Sequence, residues 1–280
     1  MLTVGAVGLA SKLFLRLGCS EVHVNGLPIL LEALKEENRQ GQGIITVANH
    51  ISVWDDPVAW GVMPWRSYFS SRTTRWTLGA SDIVFTNPLL SQFFRNGQVI
   101  ETVRGQGIHQ EALDVAIKKL NGGDWIHIFP EGKVNQVKLH PGRGLLRFKW
   151  GVAHMMLRAK VPPKVIPIYL EGILRPIKFT GSSAQSRKSL FLGFDDVMPE
   201  NRGFPRFLPR LGSKIRVTFG EPAGITQEVG SIIEGWKSRT HRETGEVEAD
   251  PEAGVRIALT DVLQRAVTQL GDDVTRQPHS

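Results

Sequence analysis

The stretch Ile44-Ile45-Thr46-Val47-Ala48-Asn49-His50-Ile51-Ser52-Val53-Trp54-Asp55-Asp56-Pro57 decides how this chain is read. Its first five residues are almost all apolar and rich in β-branching, the pattern of a buried strand. Its end reads as a helix start, with Asp56 suited to the N-cap and Pro57 to the first helical position. His50 and Asp55 then share one short connection at the end of a strand, where open α/β sheets place their ligands. Within an ideal helix, five residues would turn the two side chains roughly 140° apart, so the pair meets only if the backbone between them is not helical.

A histidine oriented by a carboxylate can take a proton from a hydroxyl, because the carboxylate fixes the tautomer and stabilises the imidazolium that forms. No G-x-S-x-G elbow occurs in the chain, so the hydroxyl to be activated is expected on a substrate. An ordinary loop histidine followed by two helix-capping aspartates fits the same letters.

The chain has 280 residues and a formal charge of +7, with a sequence pI near 9.7. That is enough for one large α/β domain, and the charge favours an anionic partner. Its basic residues are interleaved with aromatics, as in Arg147-Phe148-Lys149-Trp150, which suits a membrane surface at least as well as nucleic acid, or a plain solvated basic face. A single cysteine, Cys19, excludes a disulfide framework and a Cys-based zinc site, and the eight histidines show no ligand spacing, so no metal is expected.

Residues 1–17 are apolar, free of acids, and carry Leu9, Leu13 and Leu17 at helical intervals beside Lys12 and Arg16. A helix of that length reaches roughly 26 Å, short of a hydrocarbon core of about 30 Å. It is expected to lie in a membrane interface, and neither a cleaved secretory signal nor a mitochondrial presequence is indicated. The spacing further predicts a strand over 21–25, a helix over 28–38, a helix from Pro88 to Arg95, a strand near 99–103 and a helix over 108–120. Residues 144–159 read as one amphipathic helix, in the core or on a bilayer. A strand over 164–170 has Pro167 at an edge or bulge. Residues 176–212 form a basic-aromatic excursion, 215–219 a last strand, and 226–243 and 251–270 two helices before a disordered tail.

A second stretch, Gly123-Asp124-Trp125-Ile126-His127-Ile128-Phe129-Pro130-Glu131-Gly132-Lys133-Val134-Asn135, combines a strand with a loop that Pro130 releases from pairing. His127, between two isoleucines, is expected as a core histidine. Gly132 lets backbone approach a ligand, and Glu131 is expected to accept from a glycerol hydroxyl or to position a basic residue. Arg104, at the end of another strand, offers a planar fork of donors to a phosphate.

Four blocks in order carry a resemblance: Asn49-His50 to Asp55, Gly97 to Arg104, Phe129-Pro130-Glu131-Gly132, and Val165-Ile166-Pro167-Ile168. With them the chain resembles the glycerolipid acyltransferase superfamily, over about residues 21–222. The Asp55-Asp56-Pro57 variant, the long 123–135 block, Leu146 to Gly151 and Phe204-Pro205-Arg206-Phe207 are most similar to one branch. Its members are taken to be CoA-independent phospholipid–lysophospholipid transacylases that remodel cardiolipin on mitochondrial membranes facing the intermembrane space.

The resemblance implies a single mixed-sheet α/β acyltransferase domain over 21–225, preceded by an interfacial helix (1–20) and followed by C-terminal helices and a disordered tail (226–280). It implies catalysis by His50 and Asp55, and substrate binding by Asn49, Gly97, Arg104, Phe129, Pro130, Glu131 and Gly132, without metal or cofactor. The implied partners are phospholipid and lysophospholipid substrates, among them cardiolipin and phosphatidylcholine, and a membrane surface; nucleic acid is excluded. An acyl-CoA-dependent lysophosphatidate-type acyltransferase and a non-catalytic lipid-binding protein stand as alternatives.

Overall fold

The computed structural model describes residues 1–39, 41–135, 144–173, 211–240 and 250–276. The strands are β1 (Cys19–Asn25), β2 (Ile44–Ala48), β3 (Trp76–Ala80), β4 (Val99–Thr102), β5 (Trp125–Ile128), β6 (Lys164–Ile173) and β7 (Ser213–Phe219). They form one sheet in the order β1-β7-β6-β2-β5-β3-β4. From β6 to β4 every pairing is parallel, whereas β7 runs antiparallel to β6 and parallel to β1. This is the mixed α/β sheet that the sequence led one to expect.

The helices are α1 (Leu2–Leu17), α2 (Leu27–Ala33), α3 (Glu36–Arg39), α4 (Asp55–Gly61), α5 (Ser81–Val84), α6 (Pro88–Asn96), α7 (Glu111–Asn121), α8 (Gly151–Arg158), α9 (Ala223–Thr240) and α10 (Ala253–Arg276), with a 3₁₀ turn η1 over Trp65–Phe69. β2 is the middle strand and is buried along its whole length. Its alternation divides the core. Ile45 and Val47 pack with residues of α7, α8, α9 and α10, and Ile44 and Ala48 with residues of α2, α4 and η1. Burial on both faces is why the strand reads as a continuous apolar run.

Several expectations need correction. α4 starts one residue before Asp56, with Trp54 at the N-cap and no side-chain cap, because Asp56 is drawn into a buried ion pair described below. Residues 144–159 are not one helix: only α8 is helical. Phe148, Val152, Met155, Met156 and Leu157 are buried, so this segment serves the core and cannot lie on a bilayer. Pro167 sits on an inner strand at the end of the β6–β7 ladder, whose last rung is Ile168↔Phe219; its carbonyl accepts from Gly220 N–H at 2.8 Å, and without an N–H of its own it returns no bond, so the pairing stops there. The expected 28–38 helix is divided between α2 and α3, and β3 was not foreseen. α10 runs beyond Leu270 to Arg276 with Val274 buried, so the tail expected there is helical over 271–276. The basic-aromatic excursion falls almost wholly in 174–210, outside the described residues.

Parallel pairing fixes what shares a rim. The connections after β2, β5 and β4 all leave the sheet at the carboxyl end, where α/β folds bind ligands.

Candidate active site

The backbone after β2 is stopped by its own side chains. Asn49 Nδ2 donates to the Leu170 carbonyl at 2.9 Å and Asn49 Oδ1 accepts from the Leu170 N–H at 2.7 Å, so a side-chain amide replaces the next rung toward β6. Buried in this way, Asn49 is a clamp, with its amide occupied by the protein.

The next residue is held from the other side. His50 N–H donates to Glu131 Oε1 at 2.8 Å, and the His50 carbonyl accepts from Asn135 N–H at 2.6 Å. Glu131 Oε2 accepts from Asn135 Nδ2 at 2.7 Å and from Leu146 N–H at 2.8 Å. With both oxygens engaged and the residue buried, Glu131 locks the loop after β5 to the loop after β2. Burial pushes its carboxyl above the usual range, against the backbone donors of Leu146 and His50.

With its backbone fixed, His50 turns Nδ1 to Asp55 Oδ2 at 2.9 Å. The same oxygen accepts Ile51 N–H at 2.6 Å and Ser52 N–H at 2.8 Å, an Asx-type wrap that keeps 49–52 out of helix. That is the non-helical connection the spacing required. Because Asp55 accepts at Nδ1, that nitrogen carries a proton, and in the neutral ring the lone pair falls on Nε2. Burial raises the Asp55 carboxyl, partly offset by the His50 bond and charge and by the two amides.

Phe129 stacks on the His50 ring with centroids 4.3 Å apart and planes at 19°. Behind it, His127 meets Phe129 edge-on at 4.5 Å. Trp125 Nε1–H donates to Thr46 Oγ1 at 2.9 Å, and the same hydroxyl lies 2.8 Å from His127 Nδ1. Burial lowers the His127 pKa to about 3, so this histidine is neutral core.

Pro130 is buried, and its carbonyl takes the Lys149 N–H at 2.7 Å. Gly132 has φ +72°, the left-handed region that favours glycine, and a Cβ there would press on Lys149 Cγ at 3.3 Å. Asp56, read as a cap, instead pairs through both carboxylate oxygens with Arg75 and accepts Trp60 Nε1–H at 2.9 Å. Burial acts to raise its carboxyl, but the Arg75 charge and hydrogen bonds prevail and hold it below the usual range. Arg75 and Asn135 were not singled out in the sequence, and only their spacing from Asp56 and Glu131 could have hinted at them.

Two residues stand apart from the histidine. Arg104 leaves the same rim after β4, but that strand is three places from β2, a lateral offset of roughly 14 Å. It is exposed and pairs with Asp82 at 3.3 Å, a surface contact worth little. Gly97 precedes β4 and belongs to the opposite end of the sheet, where its carbonyl accepts from Arg75 Nη1 at 3.2 Å. Beside the histidine loop, between α4 and strands β6 and β7, a shallow open cleft is lined by Ile51, Asp55, Ala59, Leu170, Ile215 and Val217 among others.

A family model described as Acyltransferase matches residues 31–171, half of the chain and all of the clamped loops. The chain belongs to the acyltransferase family. This acyltransferase is 39% identical over 171 residues to Taffazin of Dictyostelium discoideum, covering 60% of the chain and 58% of that protein. It is 35% identical over 218 residues to N-acylphosphatidylethanolamine synthase of Arabidopsis thaliana, covering 77% of the chain and 67% of the relative. The chain thus spans less than two thirds of the Dictyostelium protein's length. Among solved structures, the 1-acyl-sn-glycerophosphate (LPA) acyltransferase PlsC from Thermotoga maritima aligns over 99% of this chain and 80% of its own, with a TM-score of 0.51 and 18% identity. That match shows a shared fold. The recognition drawn from four ordered sequence blocks is borne out by these matches.

Proposed function

We propose that this acyltransferase exchanges acyl chains between phospholipids and lysophospholipids without acyl-CoA, with cardiolipin among its substrates and a mitochondrial membrane facing the intermembrane space as its setting. The observation that carries the reading is the His50 Nδ1 to Asp55 bond, which prepares Nε2 as a base at the rim of the sheet. Nε2 takes the proton from the free glycerol hydroxyl of a lysophospholipid, and the resulting oxygen nucleophile attacks the acyl carbonyl of a second phospholipid. A new ester forms as the old C–O bond breaks, and the departing glycerol oxygen takes the proton back from His50. Asp55 stabilises the imidazolium between the two transfers. No metal or redox step enters, and the atoms balance within the two lipids.

Arg104 is the residue assigned to a lipid phosphate, reached across the rim and not in contact with His50. The apolar walls of the cleft beside Asp55 suit an acyl chain. Glu131, Asn49 and Pro130 act through the loop backbone, and Gly132 through its turn. The likeness to an N-acylphosphatidylethanolamine synthase favours, as a second reading, an amine in place of the hydroxyl as acceptor.

Purified protein is given labelled phosphatidylcholine with either lysocardiolipin or phosphatidylethanolamine, with and without acyl-CoA. Label in cardiolipin without CoA supports the proposal. Label as an amide supports the second reading, strict dependence on acyl-CoA as donor supports a lysophosphatidate-type enzyme, and binding without transfer leaves a lipid-binding protein.

A further inference from the structure

Three elements leave large apolar side chains outside the core. On α1 the buried face is Val4, Gly5, Gly8, Ser11 and Leu15, so Leu9 and Leu13 fall on the opposite side, and Leu13 is 57% exposed. η1 adds Trp65 and Phe69, each more than half exposed. α6 starts cleanly, with Asn87 Oδ1 accepting Leu90 N–H at 2.9 Å and Pro88 in the first turn. None of its residues is buried, and it shows Leu89 at 81% and Phe93 at 45% exposure. A helix that repeats apolar residues at i and i+4 without giving them to the core has its apolar partner elsewhere.

The three elements adjoin. The Phe69 ring lies against Gly5 and the Tyr68 ring against Gly8, and α6 touches α1. Their segments contain no Asp or Glu and carry Lys12, Arg16, Arg66 and Arg95; Arg95 is paired with Glu101 of β4 at 2.8 Å, which leaves Lys12, Arg16 and Arg66 as the cations of the face. Arg66 lies over the Trp65 ring at 5.4 Å, the amphipathic pairing that suits a headgroup layer. No helix among the described residues is long and apolar enough to cross a membrane.

We infer that α1, η1 and α6 together form a bilayer-docking face for anionic phospholipid, with Leu89, Phe93, Trp65 and Phe69 at the headgroup–acyl boundary and Lys12, Arg16 and Arg66 at lipid phosphates. Charge decides the occupant: with Arg95 paired to Glu101, a second copy of the chain on this face would set Lys12, Arg16 and Arg66 against their own copies with no acid from these segments, whereas anionic lipid supplies both apolar depth and negative charge. The inference rests on the lipid reading above only for its choice of substrate-bearing surface. It also adds α6 and η1 to a role that the sequence suggested for residues 1–17 alone.

The test is co-flotation of the full chain with phosphatidylcholine vesicles, with and without cardiolipin, at low salt. Wild type floats, more completely with cardiolipin. Leu89→Ser with Phe93→Ser lowers the partition coefficient on the order of 10²-fold, the scale of withdrawing two large apolar side chains from a bilayer. Its melting temperature stays that of wild type, since neither side chain is buried. Arg16→Gln with Arg66→Gln removes the preference for cardiolipin. Flotation of the Leu89/Phe93 variant equal to wild type overturns the inference, as does light scattering that shows a wild-type dimer dissociated by the same variant. Transfer between short-chain, monomerically dispersed lipids keeps the two proposals apart. If it persists while nothing floats, the docking face fails alone; if the protein floats but never transfers, the acyl-exchange reading fails alone.

Discussion

The ring of Phe129 lies parallel on the imidazole of His50, centroids 4.3 Å apart, and is itself held edge-on by His127. The stack fixes the imidazole plane while Asp55 fixes its tautomer, and the face of the ring is favourable to an imidazolium. Phe129, which the family resemblance placed at the substrate, packs on the imidazole itself.

Phe129→Leu is expected to keep the fold and to lower kcat by about tenfold, the scale of one aromatic contact, with KM for lysolipid nearly unchanged. A steady-state comparison checks this. A rise in KM at constant kcat would return Phe129 to substrate binding.

Glu131 supplies the sharpest separation between a pin and a ligand. Its carboxylate takes three donors from the protein, namely His50 N–H, Asn135 Nδ2 and Leu146 N–H. Hydrogen bonds to charged groups are worth about 1.5–3 kcal/mol each. Glu131→Ala should therefore destabilise by about 3 kcal/mol or more in urea and lose activity with the loop. A variant as stable as wild type with only a raised KM would restore the substrate role.

His127 gives a pH signature. Its folded pKa is depressed from 6.5 to about 3, so between those values the unfolded chain binds a proton that the native one refuses. Stability from this group falls as pH falls below 6.5, by at most about 1.4 kcal/mol per pH unit, and levels off near pH 3. Chemical denaturation of wild type and His127→Gln across pH 7 to 5 should show a steeper loss in wild type. Parallel curves would mean that the buried imidazole is charged or water-linked.

The sheet was legible where burial is strong. β2 and β5 announce themselves because both faces are covered, and Pro88 and Gly122-Gly123 punctuate α6 and α7. β3 was hidden because Trp76-Thr77-Leu78-Gly79-Ala80 offers one β-branched residue and a glycine. The 144–159 segment misled because an apolar run shows no period that separates a core-filling irregular stretch from a helix. In the site, the His50–Asp55 pair could be read from the proline that ends the loop. The roles of Asn49 and Glu131 could not, since a polar residue that closes a backbone rung has the same letters as one that meets a ligand. Gly97 and Arg104 belong to one sequence block and to opposite ends of β4, a separation that only the strand between them reveals.

Asp55 should divide chemistry from stability. Three donors converge on its Oδ2, and the oxygen of an asparagine, with two lone pairs, can keep the two backbone donors that hold the loop. Burial already raises the carboxyl, so the native state holds a proton more tightly than the unfolded chain, and the ionised form costs stability at neutral pH. Asp55→Asn is expected to melt no lower than wild type while losing transfer on the order of 10³–10⁴-fold, by analogy with the serine-protease triad aspartate. Transfer within a few-fold of wild type would reduce Asp55 to a loop staple.

The central claim is that His50 Nε2 moves the proton. The most direct measurement is the initial rate of label transfer from phosphatidylcholine to lysocardiolipin, without acyl-CoA, by wild type and His50→Ala at equal vesicle-bound concentration, with thermal melts recorded in parallel. The account predicts that transfer falls to background in His50→Ala while the melt and the floated fraction stay close to wild type. Sustained transfer by a folded, membrane-bound His50→Ala protein would contradict it.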